Sequence, residues 1–200
     1  MATQTISSIL ATEPWYYDGD RQCIKFSIDG TGEIWDGHET AFTLAASFDW
    51  RALNPTALDE QLAITGSRTA KTLTHLSLEI TSTERRCPCP PGWNFDENTL
   101  ERIRMTTSRF KEGAFQPRTF SVRLESGKFA KPFMEDHGGV EKFGDQARSY
   151  ALRLVFDRCP WPSLEQYING SIWGDKMKVT RFVCRETGLY NSWMGSCIAI

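Results

Sequence analysis

The chain lacks the marks of several large protein classes. No run among its 200 residues approaches the ~20 consecutive apolar positions that span a bilayer. There is no surplus of either charge: 23 Lys+Arg stand against 25 Asp+Glu, for a formal net charge of -2. That balance excludes a grip on nucleic acid by phosphate neutralisation and a polybasic module on a membrane surface. Met1 to Ala11 has neither a basic n-region nor a long apolar h-region, so no secretory leader is expected. Six cysteines (Cys23, Cys87, Cys89, Cys159, Cys184 and Cys197) are too few and too scattered for a disulfide framework. A cytoplasmic protein with reduced thiols is expected. No internal repeat or low-complexity segment is present.

Familiar chemical signatures are missing too. Cys87-Pro88-Cys89 has one residue between its thiols, where zinc sites use two to four. No second cysteine pair is near, and His38, His75 and His137 stand alone. These thiols read as structural, and no metal is expected. There is no Gly-x-Ser-x-Gly elbow. Gly30-Thr31-Gly32 lacks the Gly-Lys-Ser/Thr ending of a phosphate loop, and no dinucleotide fingerprint occurs. No cofactor is expected.

What the chain has is alternation. With 40% hydrophobic and 12% aromatic residues, it can bury roughly 70% of its unfolded surface as one domain over residues 1–200. Short period-2 runs dominate, punctuated by Gly, Pro, Asn and Asp. Ile24, Phe26 and Ile28 alternate with polar neighbours, then Asp29-Gly30-Thr31-Gly32 reads as a hairpin turn leading into Glu33-Ile34-Trp35. Phe42, Leu44, Ala46, Phe48 and Trp50 form the cleanest run. Leu62 and Ile64 suggest a shorter strand. Further runs are Leu76, Leu78 and Ile80; Phe120, Val122 and Leu124; Tyr150, Leu152, Leu154 and Phe156; and Met177, Val179, Arg181 and Val183, before a last apolar stretch, Cys197 to Ile200. Helical signals are few. Asp96 to Phe110 fits a helix or a strand, and Ser163 to Ile168 fits one short helix. Ala130 to Ala147 reads as a long loop, a length more often functional than inert.

The fold expected is all-β: about eight antiparallel strands, each with one apolar face, and one or two short helices. Such strands must close into a barrel or pair as a sandwich, and periodicity does not separate the two. An eight-stranded barrel has room for one small ligand.

Trp15-Tyr16-Tyr17-Asp18-Gly19, Ile24-Lys25-Phe26 and Gly30-Thr31-Gly32-Glu33 resemble the opening of small fungal lipocalin-like barrel proteins. Ala45-Ala46-Ser47-Phe48-Asp49-Trp50 looks like the strand that follows there. Leu152 to Asp157, with Cys159-Pro160-Trp161-Pro162, looks like the late strand and its Pro-rich exit. The middle, Glu84 to Phe115, carries no such likeness. Where lipocalins have a Gly two residues before the first-strand Trp, this chain has Glu13. The resemblance implies a lipocalin-like barrel whose cup takes up a hydrophobic small molecule, with Trp15 and a basic residue, Arg181, packed together at the barrel floor. It also implies cofactor-free cyclase activity, since some fungal relatives are natural-product cyclases, Diels–Alderases among them. A non-catalytic carrier is the alternative, and a fully packed interaction sandwich is the third reading.

The candidate residues follow. On the Met177–Val183 alternation, Arg181 points inward among apolar neighbours, where a guanidinium needs a partner. It either stacks on Trp15 or hydrogen-bonds a ligand carbonyl. Tyr17 and Tyr150 are the other candidate catalytic donors. Trp35, Phe48, Trp50, Phe120, Phe156 and Trp193 are candidate ligand walls, or plain core. Lys25, Asp49, His75, Glu79, Arg123, Glu125, Arg153 and Asp157 should face outward as a solvated ladder. Arg123 and Glu125 could pair across subunits, which leaves a homodimer open.

Overall fold

A computed structural model describes residues 3–18, 22–38, 41–64, 69–85, 87–88, 98, 101, 108, 110–139, 142, 147–168 and 179–189. Ten strands are among them: β1 (Thr3–Thr5), β2 (Trp15–Asp18), β3 (Gln22–Phe26), β4 (Thr31–His38), β5 (Ala41–Ala52), β6 (Gln61–Ala63), β7 (Lys71–Thr83), β8 (Arg118–Phe129), β9 (Arg148–Phe156) and β10 (Arg181–Leu189). Two short helices join them, α1 (Ile6–Ala11) and α2 (Pro132–Asp136). β1 and β6 pair as a separate ribbon. The other eight strands form a ring-like antiparallel sheet in the order β10-β2-β3-β4-β5-β7-β8-β9. β10 pairs with β9 over most of its length and with β2 through Val183 and Tyr16.

Alternation gives the sheet two faces. One face holds the main core, to which Ile24, Phe26, Ile34, Leu44, Phe48, Trp50, Leu78, Ile80, Phe120, Val122, Leu154, Phe156 and Phe182 all contribute. The aromatic rings there meet edge to face: Phe26 with Phe48 at 5.7 Å, Phe26 with Trp50 at 5.2 Å, Phe120 with Phe156 at 5.8 Å and Phe156 with Phe182 at 5.8 Å. Each such pair adds ~0.5–1.5 kcal/mol beyond the burial of its area.

α1 packs onto this core where β2 begins and β3 ends, with Ile6, Ile9 and Leu10 fully buried. Thr5 caps it, its hydroxyl accepting from the Ser8 amide at 3.2 Å. The helix then uses its last turn as an acceptor, since the Trp15 indole N–H donates to the Leu10 carbonyl at 3.0 Å. At the same end Trp50 locks the β3–β4 hairpin. Its indole N–H reaches the carbonyls of Ser27 and Thr31 at 3.1 and 2.9 Å. Gly30 turns the chain at φ 83°, a conformation that glycine adopts freely. β3 ends at Phe26, so Ile28, expected on the apolar face, lies in the turn and is 78% exposed.

The opposite face is also covered in places. Cys23, Trp35 and Ala45 form a second apolar cluster with Cys87, which returns over them after β7. Phe129, Tyr150 and Val183 form a third. Beside it, α2 sits on an ion-pair chain. Glu125 lies between Arg123 at 2.6 Å and Arg153 at 2.7 Å, and Glu135 reaches Arg181 at 2.6 Å. The Arg153 guanidinium also lies over the Phe129 ring at 4.3 Å.

Several expectations need correction. Glu125 is not solvated but 6% exposed, enclosed between the Arg123 and Arg153 guanidiniums. Arg123 and Glu125 pair within the chain. The Ala130–Ala147 segment is not all loop, for Pro132 opens α2, a position where its missing N–H costs nothing. Ser163 to Ile168 holds a single turn of 3-10 helix, Leu164–Gln166. Most of Asp96 to Phe110, and all of Cys197 to Ile200, lies outside the described residues.

Gly32 tests the inner face directly. A Cβ there would run into the Phe48 ring and come within 2.7 Å of the Lys25 carbonyl. Gly32→Ala should therefore lower stability in urea by about 1–3 kcal/mol. Gly113→Ala, with nothing within 4 Å, serves as the control and should stay near wild type. Equal stabilities for the two variants would contradict the packing described.

Candidate functional site

The core face is apolar along most of its length and turns polar at one end. Register places three side chains there. Asp36 pairs with Leu44, a core residue. Arg118 pairs with Ile80, also core. Gln22 continues the face of Ile24 and Phe26. The Gln22 amide donates to the Asp36 carboxylate. The Arg118 guanidinium donates to the carbonyls of Trp161 at 3.1 Å and Pro160 at 2.5 Å, and burial pulls its pKa below the usual arginine range.

The segments after β9 and before β8 roof this end. Trp161 stacks on Phe182 at 5.1 Å, with the rings 14° from parallel. Phe110 bridges to Tyr167 through the backbone and meets its ring edge-on at 5.1 Å. Tyr167 is 9% exposed, and its hydroxyl has no hydrogen-bond partner among the described residues. Burial raises its pKa most, followed by the negative charge of Asp36. The phenol is therefore a neutral donor, not a base. Cys159 lies within the same field, and burial pushes its thiol up to about 11. Burial also raises the thiols of Cys87 and Cys184. Thiols held in the protonated form are poor nucleophiles.

The sequence-predicted residues divide between the faces. Phe48, Trp50, Phe120 and Phe156 line the core face. Trp35 does not: it pairs with Cys23 and Ala45 and lies in the opposite cluster. Tyr150 is buried with Phe129 and Val183, apart from the main core. Trp193 lies outside the described residues. Arg181 is not inward. β10 begins only at Arg181, so the alternation carried from Met177 (itself outside the described residues) crosses a break in the strand and shifts its phase. Phe182 and Cys184 take the core face. Arg181 instead pairs with Glu135 and Asp136 of α2. Trp15 directs its indole N–H to Leu10, as described above.

Tyr17 joins that ion chain. Its hydroxyl donates to Asp136 at 3.3 Å and its ring meets Phe133 edge-on at 6.2 Å. Burial, then the Asp136 charge and hydrogen bond, push its pKa up to about 12, with Arg181 opposing.

Gln22, Asp36, Arg118 and Tyr167 were not singled out from the sequence. Extending the alternation by two residues finds the first three: Gln22 before Ile24, Asp36 after Ile34 and Arg118 before Phe120. Tyr167 carries no local signal, since its place depends on long-range contact with Phe110.

No family model matches the chain, nor does any curated protein or solved structure. The lipocalin-like resemblance accordingly rests on the quoted motifs and on the ring of strands. Among the described residues, no helix is long and apolar enough to cross a membrane.

The Tyr17 contact has a pH signature. Unfolded, the phenol titrates near its ordinary value of 10; folded, it holds its proton to about 12. Its stabilising contribution is complete below pH ~10 and is lost as pH rises through the folded value. Thermal melts across that alkaline window should fall less steeply for Tyr17→Phe than for wild type. Parallel curves would show that the hydroxyl makes no such contact.

Proposed function

We propose that the ring of strands is a closed, lipocalin-like barrel. It takes one hydrophobic small molecule into its core through the end marked by Gln22, Asp36 and Arg118. There it cyclises or isomerises that molecule without a cofactor. The observation that carries this reading is the combination of an apolar inner face with one polar end, roofed by side chains from loops rather than strands. Loop rings such as Trp161 and Tyr167 can move at lower cost than paired strands can part.

Cyclisation needs little side-chain chemistry. Holding one conformer near attack geometry can supply up to ~7–11 kcal/mol of the barrier. A donor placed on a carbonyl stabilises the charge that develops in the transition state. In this reading the donor comes from the polar end of the core. Arg181 is engaged with Glu135 and Asp136, and Tyr150 packs in a separate cluster.

The second reading is a carrier that binds the same molecule in the same core. The core rings already satisfy one another in edge-to-face pairs. A carrier needs only to exchange part of that packing for a ligand, with no chemistry.

Turnover separates the two. Purified protein would be incubated with a metabolite extract from its source, at catalytic and at stoichiometric amounts, and followed by mass spectrometry. The proposed function requires a compound that disappears at catalytic dose and is replaced by another of equal mass. A compound that only co-purifies, unchanged and one per chain, would make the protein a carrier.

A further inference from the structure

The Tyr167 hydroxyl is one of five buried side-chain polar atoms left without a hydrogen-bond partner among the described residues. A buried hydroxyl with no partner costs ~1–3 kcal/mol, so native proteins rarely leave one without a reason. This one does not lie deep in the apolar core. It sits at the polar end of the inner face, within the electrostatic reach of Asp36, Cys159 and Arg118.

Its neighbours are engaged. Asp36 accepts from Gln22. Arg118 donates to the Pro160 and Trp161 carbonyls. One carboxylate and one guanidinium also balance in charge. A ligand reaching for either would compete with hydrogen bonds already made. A neutral ligand with one acceptor atom would find a donor that nothing else uses.

We propose that Tyr167 is the polar anchor of the inner site, donating its hydroxyl proton to the carbonyl oxygen of a neutral hydrophobic ketone or aldehyde. This rests on the reading of the core as a small-molecule site and adds the chemical class of the ligand. The phenol keeps its proton throughout, since its surroundings disfavour the phenolate. The apolar part of the ligand lies against Trp161 and the Phe182 ring stacked on it. Tyr167 thereby both closes the roof and selects what passes beneath it.

The test compares two probes of nearly equal shape by isothermal titration calorimetry, acetylnaphthalene and isopropenylnaphthalene. The first presents a carbonyl where the second presents a methylene. Wild type should bind the ketone about tenfold more tightly, the worth of one buried hydrogen bond. Tyr167→Phe should bring the ketone down to the hydrocarbon and leave the hydrocarbon unchanged. Its melting temperature without ligand should not fall, because the hydroxyl has no bond to lose. If both probes bind wild type equally, or the preference survives in Tyr167→Phe, the anchor is wrong while the inner site stands. A marked loss of stability in Tyr167→Phe would also overturn it, by revealing a structural partner. If neither probe binds, the inner site itself fails and the anchor with it.

Discussion

The pairing of β10 with β2 is the interaction on which the rest depends. Through Val183 and Tyr16 it joins the last described strand to the first strand of the ring. An open sheet of eight strands would leave two edges of unpaired N–H and C=O groups, a liability that proteins cover or abolish. It would also leave its apolar face in need of a second layer. In the proposed barrel, joining β10 to β2 removes both problems at once, because each inner residue then faces the inner residues of other strands. Along the β8-β9-β10 stretch of the ring, Phe156 meets Phe120 on one side and Phe182 on the other.

A ring has two ends, and the chain treats them differently. At one end α1 inserts Ile6, Ile9 and Leu10, all fully buried, beside Trp15. The polar handles of Trp15 and Trp50 are used there to fix the helix and the hairpin. At the other end the inner face finishes in Gln22, Asp36 and Arg118, under Trp161 and Tyr167. Apolar packing fills the first end, and polar side chains gather at the second. The outer face adds support of another kind. The Glu135–Arg181–Asp136 pairs tie α2 to the sheet, and Glu125 holds Arg123 and Arg153 beside them.

Much of the fold was legible in the sequence, for a physical reason. Alternation reports a face wherever a strand is regular, and the runs Leu44 to Trp50, Leu76 to Ile80, Phe120 to Leu124 and Leu152 to Phe156 are regular. The Asp29-Gly30 turn was legible because glycine's positive φ is a local requirement. What was lost was lost at irregularities. The phase read through Met177 and Val179 failed at Arg181, where the strand begins. Trp35 lies on neither the wall nor the main core, because aromatic character alone does not choose a face; its neighbour Ile34 holds the inner one. Glu125 reads as solvated because no local pattern says that Arg123 and Arg153 will both fold onto it. The candidate site was only half legible. Asp36, Gln22 and Arg118 lie on the extended alternation, whereas Tyr167 is brought in by contacts between distant segments.

Amide hydrogen exchange resolved by residue, measured on the free protein, tests ring closure most directly. If β10 and β2 close the barrel, the amides along Trp15–Asp18 and along the facing half of β10 exchange as slowly as those of β4 and β5, near the limit of global unfolding. Rapid exchange at β2 and β10, with protection kept in β4 and β5, would mean an open sheet. The inner site would then lose the wall that defines it.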